Sequence, residues 1–133
     1  MLNRENALKN NHAEDYSGFN FQELSNTHKI NLRGNSNDKD FFANVEKILD
    51  IFLPLEPNTS TNNNKLKIIW LSPNEWLIEI YKTKDFAKTI SDLEDSLNSD
   101  NTAVTDVTEN RTILKLSGIH LYKLLSKFMI IDL

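Results

Sequence analysis

The sequence predicts an α+β fold, in which an antiparallel sheet is built from hairpins and about three helices pack on it. Apolar residues recur at helical spacing in three stretches, and β-rich runs flank short turns in two others. These patterns follow one another as strand, helix, hairpin, helix, hairpin and helix. The 133 residues are enough for one domain with a core of its own.

The first element with a clear pattern is a strand. Residues 1–22 carry few apolar positions and no clear period, so we expect a polar N-terminal tail there and a single domain over residues 23–133. Ile30 and Leu32 alternate with polar residues in a short run that ends at Gly34. This alternation is typical of a strand with one buried face.

The clearest helix of the chain follows this strand. Its candidate N-caps are Ser36, Asn37 and Asp38, whose side-chain oxygens can accept hydrogen bonds from the free amides of a first turn. Pro54 and Pro57 are expected to end it. The apolar residues at helical spacing are Phe41, Phe42, Val45, Ile48, Leu49 and Phe52.

A hairpin is predicted next, because the runs LKIIWL and WLIEIY are separated by SPNE. Pro73 suits the second position of a turn, where its fixed φ is already correct. A symmetric four-residue turn would place Leu71 opposite Trp76 and Ile69 opposite Ile78 on one face. Both faces would then be largely apolar, so we expect each to be covered by helices of this chain or by a partner.

A second helix, a second hairpin and a third helix complete the prediction. Thr83 can cap a helix whose apolar stripe ends at Leu97. Residues 102–108 and 111–116 then flank a short polar turn as two strands. Ser117 can cap a last helix with an apolar stripe of its own.

Charge and motif content argue against several functions. The net charge of −4 disfavours binding to the phosphates of nucleic acids or to an anionic membrane surface. Cysteine is absent, and His12, His28 and His120 do not lie at metal-ligand spacing. Neither a Gly-rich phosphate loop nor an apolar signal segment is present. We therefore expect a cytoplasmic chain without a catalytic site, cofactor or metal of its own.

Two groups of residues could still carry a function. In the second predicted hairpin, Asp106 and Arg111 are diagonal neighbours. They could form a cross-strand ion pair, or Arg111 could bind the carboxylate of a ligand bidentately. Trp70, Glu75 and Trp76 surround the first turn, where they could be core residues or an anchor for a partner. The residues by themselves leave both questions open.

The phrases IIWLSPNEWLIEI, AVTDVTENRTILKLSG and LLSKFMIIDL, in this order and spacing, resemble the gamma subunit of heterotetrameric sarcosine oxidase. IFLPLEPNTS and the LRG before the first helix strengthen the resemblance, which covers roughly residues 22 to 133. We expect structural or interface roles for the positions that match the family pattern. These positions are Leu71, Pro73, Glu75, Trp76, Asp106, Arg111 and Gly118.

The resemblance implies a fold similar to the folate-binding domain of aminomethyltransferases. It also implies a non-catalytic role in a complex that demethylates sarcosine oxidatively, giving glycine and hydrogen peroxide, and transfers the one-carbon unit to tetrahydrofolate. The alpha subunit is the expected direct partner, with beta and delta as further subunits. FAD, FMN and NAD are expected in alpha and beta, and zinc in delta.

The family pattern normally continues past the positions of Asp132 and Leu133, so we expect the C-terminal part of the domain to be missing here. Two other functions stay open. One is a stand-alone folate-binding protein of one-carbon metabolism that resembles the aminomethyltransferases, for which Asp106 is the only candidate carboxylate. The other is a structural interaction domain.

Overall fold

A computed structural model describes residues 7, 14–16, 18–24, 27–81 and 83–130. The chain folds as two compact units, one formed by Asn26–Arg111 and the other by Met1–Ser25 with Thr112–Leu133. In chain order the elements are β1 (Glu14–Tyr16), β2 (Phe19–Leu24), β3 (His28–Arg33), α1 (Lys39–Leu49), β4 (Ser60–Asn62), β5 (Leu66–Ser72), β6 (Glu75–Ile80), α2 (Phe86–Ser96), β7 (Ala103–Asp106), β8 (Ile113–Ser117) and α3 (Leu121–Leu125). The α+β prediction is confirmed, and β2 spans the boundary that was predicted between tail and domain.

The larger unit is built on a five-stranded sheet with the order β4-β5-β6-β3-β7, in which all neighbours are antiparallel. Helices α1 and α2 pack on one face of this sheet. The core between them is apolar, as the alternation in β3 and the helical spacing in α1 predict. Its buried members are Ile30, Leu32, Phe41, Val45, Leu49, Leu53, Leu66, Ile68, Trp76, Ile78, Ile80, Leu93 and Leu97.

Helix α1 begins where the sequence predicts. The Oδ1 atom of Asp38 accepts hydrogen bonds from the amides of Asp40 and Phe41, at 3.0 and 3.2 Å. The helix ends earlier than predicted, because Asp50 adopts a left-handed conformation with φ of 57° and donates its N–H to the Glu46 carbonyl. Phe52 therefore lies outside the helix and is exposed.

The first hairpin is confirmed, but its predicted register is wrong by one residue. Trp70 lies opposite Trp76 and Ile68 opposite Ile78, because the chain has an irregularity between Trp70 and Ser72. Leu71 is the extra residue of this bulge. The shift brings Ile68 of β5 onto the helix side of the sheet with Trp76 and Ile78 of β6, while the pair Ile69 and Leu77 faces the other side. The opposite face is consequently polar in part, whereas two largely apolar faces were expected.

The second predicted hairpin does not form. Strand β7 pairs with β3 of the larger unit, and β8 pairs with β2 of the smaller one. Pairing with β3 lets Val104 pack against the core, a gain that a hairpin with β8 would not offer. The prediction assumed that strands adjacent in sequence are adjacent in space.

The predicted caps of the second and third helices are also wrong. Thr83 begins a 3-10 turn, and Asp85 takes the N-cap position of α2 without a capping hydrogen bond from its side chain. Ser117 is the last residue of β8, and His120 takes the N-cap position of α3. Neither helix has the side-chain cap that the residue types suggested, so tertiary contacts decide where they begin.

The smaller unit contains a three-stranded sheet with the order β1-β2-β8 and the short helix α3. Gly118 links the sheet to this helix with φ of 137°, a conformation that favours glycine. A Cβ atom at this position would overlap the carbonyl oxygen of Gly18. Gly118 is one of the family-pattern positions, and a side chain there would be strained. In the part of the chain that the structure describes, no helix has the length and apolarity needed to cross a membrane.

Candidate functional site

On the larger unit, the face of the sheet opposite the two helices carries several charged side chains. Successive side chains of a strand alternate between faces. Because Ile30 and Leu32 of β3 lie in the core, the residues between and beside them occupy the other face. On strand β6 the same face carries Glu75 and Glu79. The polar residues that β3 contributes to this face are Lys29, Asn31 and Arg33.

Three residues form what we call the Glu75 cluster: Asn31, Arg33 and Glu75. The side chain of Asn31 donates to Oε1 of Glu75 at 2.7 Å, and that of Arg33 donates to Oε2 at 3.0 Å. These hydrogen bonds, first that of Asn31, hold the pKa of Glu75 below its ordinary value of 4.5, and the charges of Arg33 and Arg111 lower it further. The carboxylate is therefore kept ionised and oriented.

The arrangement of this cluster follows from strand pairing. Strands β3 and β6 are antiparallel, with Arg33 directly opposite Glu75 and Asn31 opposite Leu77. Side chains at directly opposed and diagonal positions of one face lie within reach of each other. The prediction missed Asn31 and Arg33. The alternation in HKINLRG could have identified them, since it places every second, polar residue of β3 on one face.

A second charged group crosses the same face deeper in the sheet. Glu79 lies opposite Lys29 on one neighbouring strand and opposite Lys67 on the other. Lys29 is only 2% exposed and Glu79 only 6%. Burial raises the pKa of Glu79, and the charges of Lys67 and Lys29 oppose this rise. The Nζ atom of Lys29 donates to the carbonyls of Thr27 and Thr108, at 3.3 and 3.2 Å. The two lysine charges compensate for the burial of Glu79 only in part, and its Oε1 atom is buried without a hydrogen-bond partner among the described residues.

The proposed partnership of Asp106 and Arg111 is not formed. Oδ1 of Asp106 accepts a hydrogen bond from the Thr108 amide at 2.9 Å, which stabilises the turn after β7. Among the ion pairs between described residues, none joins Asp106 to Arg111. The positive charge of Arg111 acts on Glu75 instead.

The other family-pattern positions of the first hairpin are Leu71, Pro73 and Trp76, and each occupies a defined place in the larger unit. Trp76 is fully buried, and its Nε1 donates to the Pro54 carbonyl at 2.8 Å. Pro73 lies in the exposed turn that joins β5 to β6, next to the bulge at Leu71. Of the two alternatives for Trp76, the structure therefore favours the core residue over the partner anchor.

The histidines do not form a metal site within the described residues, where no group of His, Cys, Asp or Glu could hold an ion. The ring of His28 stacks on that of Phe86, with centroids 4.2 Å apart. His12 and Asp132 lie outside the described residues. An open cavity of about 550 Å³ runs along α1 and is lined in part by Phe42 and Leu55, but Asp106 does not line it.

The smaller unit carries an unusual number of exposed apolar side chains. Leu114 of β8 is one of them, and the others belong to what we call the α3 segment, residues 119–130. Ile119 is 85% exposed and Phe128 is 78% exposed. The other exposed large apolar residues of the segment are Tyr122, Leu124, Met129 and Ile130. Exposed apolar patches of large size are uncommon on monomeric soluble proteins.

The fold is similar to that of a solved structure described as heterotetrameric sarcosine oxidase from Corynebacterium sp. U-96 in complex with pyrrole 2-carboxylate. The TM-score is 0.75 and the sequence identity is 21%, over 86% of this chain and 57% of that chain. At this identity the likeness shows the fold. The present chain spans little more than half the length of the chain it matches. A comparison with curated proteins finds no match.

A family model described as "Sarcosine oxidase, gamma subunit family" matches residues 33–133. The match includes the first hairpin, the Glu75 cluster apart from Asn31, and the α3 segment. All seven family-pattern positions fall within it. Because this model covers well over half of the sequence, the chain belongs to the sarcosine oxidase gamma subunit family.

Proposed function

We propose that this chain is a non-catalytic gamma subunit of a heterotetrameric sarcosine oxidase, and that it associates with the alpha subunit of that complex. The complex would demethylate sarcosine oxidatively and pass the one-carbon unit to tetrahydrofolate. FAD, FMN and NAD would be held by the alpha and beta subunits, and zinc by delta. The observation that carries the proposal is the exposed apolar surface of the α3 segment in a chain of this family.

The α3 segment has enough apolar surface to stabilise an interface. Fully burying a side chain of the size of Ile or Phe contributes about 1.5–3 kcal/mol. Ile119 and Phe128 retain most of their surface for such burial. A few well-packed residues carry most of the binding energy at protein interfaces, and tyrosine, which the segment has in Tyr122, is enriched among them. Burying even part of the segment against the alpha subunit would offset the entropic cost of association.

The charged groups of the larger unit support an accessory role. Both carboxylate oxygens of Glu75 are engaged by neighbouring side chains, and Asp106 stabilises a turn. Glu79 lies beneath the surface between two lysines. Glu75 and Asp106 have hydrogen-bond partners within the chain, and the charge of Glu79 is opposed by those of Lys67 and Lys29.

The test is co-expression of the chain with the alpha, beta and delta subunits of its own organism, followed by purification of the assembled complex. Wild type should elute with a yellow flavoprotein. A variant with Ile119→Ser and Phe128→Ser should bind the other subunits roughly a hundredfold more weakly, from the loss of two apolar anchors. Phe52→Ser is the matched control, because Phe52 is similarly exposed but lies in the larger unit.

Two results would contradict the proposal. One is a wild-type chain that purifies alone when all four subunits are present. The other is a double variant that assembles as well as wild type. A colourless chain that binds tetrahydrofolate by itself would favour the stand-alone one-carbon protein instead, and a colourless chain that binds neither would favour an independent interaction domain.

A further inference from the structure

The two units of the chain differ in how much apolar surface they bury. Every buried residue of the hydrophobic core, Ile78 and Leu93 among them, belongs to the larger unit. Among the side chains of the smaller unit that the structure describes, no apolar one is buried, and the one buried residue is Glu23. Apolar burial is the main contribution that opposes the loss of conformational entropy on folding. The smaller unit therefore has much less than the larger one to keep it folded.

Helix α3 is the part of the smaller unit with the weakest support. It has five residues, whereas isolated helices shorter than about 12–15 residues are marginal in water. Its N-cap residue, His120, makes no capping hydrogen bond with its side chain. None of its residues is buried, and only Leu121 and Leu125 are half-buried. Neither local interactions nor packing within the chain holds this helix firmly.

The α3 segment is nevertheless fixed at its beginning. Strand β8 pairs with β2, and the backbone of Gly118 lies so close to Gly18 that a Cβ atom would overlap its carbonyl oxygen. Beyond this point the amides of Ser126 and Met129 donate to the carbonyls four residues before them, at 2.9 and 2.8 Å. Both residues are exposed, and backbone hydrogen bonds at exposed positions with few buried contacts open at low free-energy cost. The segment thus has a fixed start and a weakly held end.

We propose that the α3 segment folds on binding: its helical turns open readily in the free chain and become ordered when the segment meets the partner subunit. This inference rests on the proposed function, because the apolar side chains that would form the interface also supply the free energy that orders the segment. Ile119 and Phe128 gain burial only in the complex. Part of the free energy of binding is then spent on ordering, so affinity depends on how easily the helix forms.

Amide hydrogen exchange of the full chain, free and in complex with the other subunits, tests this coupling. In the free chain the hydrogen-bonded amides of Leu124, Ser126 and Met129 should exchange within about tenfold of the rate of an unstructured peptide. The paired amides of β3 and β6 should be protected at least about a thousandfold, because they open only with the core. In the complex, the amides of the α3 segment should gain about a hundredfold in protection, and those of β3 and β6 should change little.

A pair of variants at Lys123 measures the same coupling through affinity. This residue is exposed in the middle of α3. Lys123→Gly and Lys123→Ala both remove its side chain, but glycine is the poorer helix former. If the helix forms only on binding, Lys123→Gly should bind the other subunits about fivefold more weakly than Lys123→Ala. A helix already formed in the free chain would carry the same penalty before and after binding, so the two variants would bind equally.

Three results would overturn the inference and leave the proposed function standing. The first is a free chain that binds the other subunits although its α3 amides are already as well protected as those of β3. The second is equal affinity of Lys123→Gly and Lys123→Ala. The third is an assembled complex in which the α3 amides gain no protection while Ile119→Ser with Phe128→Ser still weakens assembly. If the wild-type chain binds none of the other subunits, the proposed function and this inference fail together.

Discussion

Replacing Trp76 with alanine should come close to unfolding the larger unit. The indole is fully buried and packs against the rings of Phe41 and Phe42, each with its centroid 5.8 Å away. Removing a buried aromatic side chain costs about 3–5 kcal/mol through lost burial and the cavity left behind. The change also leaves the Pro54 carbonyl without its donor, which adds about 1–3 kcal/mol. A loss of at least about 4 kcal/mol is a large part of the stability of a typical domain.

Two further variants separate these contributions. Trp76→Phe keeps a ring against Phe41 and Phe42 but removes the indole N–H, so we expect a loss of about 1–3 kcal/mol. Trp70→Ala is the matched control, because Trp70 lies directly opposite Trp76 in the hairpin but is only half-buried. Urea unfolding followed by circular dichroism gives each free energy of unfolding. If Trp76→Ala proves no less stable than Trp70→Ala, the assignment of Trp76 to the core is wrong.

The other predictions concern the sheet. Because burial raises the pKa of Glu79 above 4.5, the folded chain holds this proton more tightly than the unfolded one. The free energy of unfolding of wild type, measured relative to Glu79→Gln, should therefore fall as pH rises from 4.5 through the raised pKa and stay level above it. Urea titrations across this range would contradict the argument if wild type gained relative stability instead. Gly34→Ala should cost about 1–3 kcal/mol, because the added Cβ would overlap the buried ring of Phe41. A midpoint of thermal unfolding equal to that of wild type would show that the ring moves aside freely.

Helix α1 illustrates how far local sequence can be interpreted. Its apolar spacing and its Asp38 cap act within a few residues, and the helix begins at the predicted place. Its end depends on the left-handed conformation of Asp50, which no residue pattern signalled. The hairpin of β5 and β6 was predictable for the same local reason, whereas its register changed by one residue at the Leu71 bulge.

The Glu75 cluster shows what a resemblance between sequences can and cannot supply. Glu75 and Arg111 were identified as family-pattern positions, but Asp106 was expected to be the partner of Arg111. The actual arrangement required β3 to pair with β6, so that Asn31 and Arg33 reach Glu75. Asn31 and Arg33 each precede Glu75 by more than forty positions in the chain. A short motif cannot encode a contact of that separation.

By itself the sequence determined the class of fold, the first helix with its cap, the first hairpin and the family to which the chain belongs. Only the tertiary structure decided that β7 joins β3 while β8 joins β2, and which face of the sheet carries the charged groups. The reason is physical. Capping and periodicity are set by neighbours a few residues away, whereas a strand selects its partner by the burial and side-chain pairing it gains from segments distant in the chain.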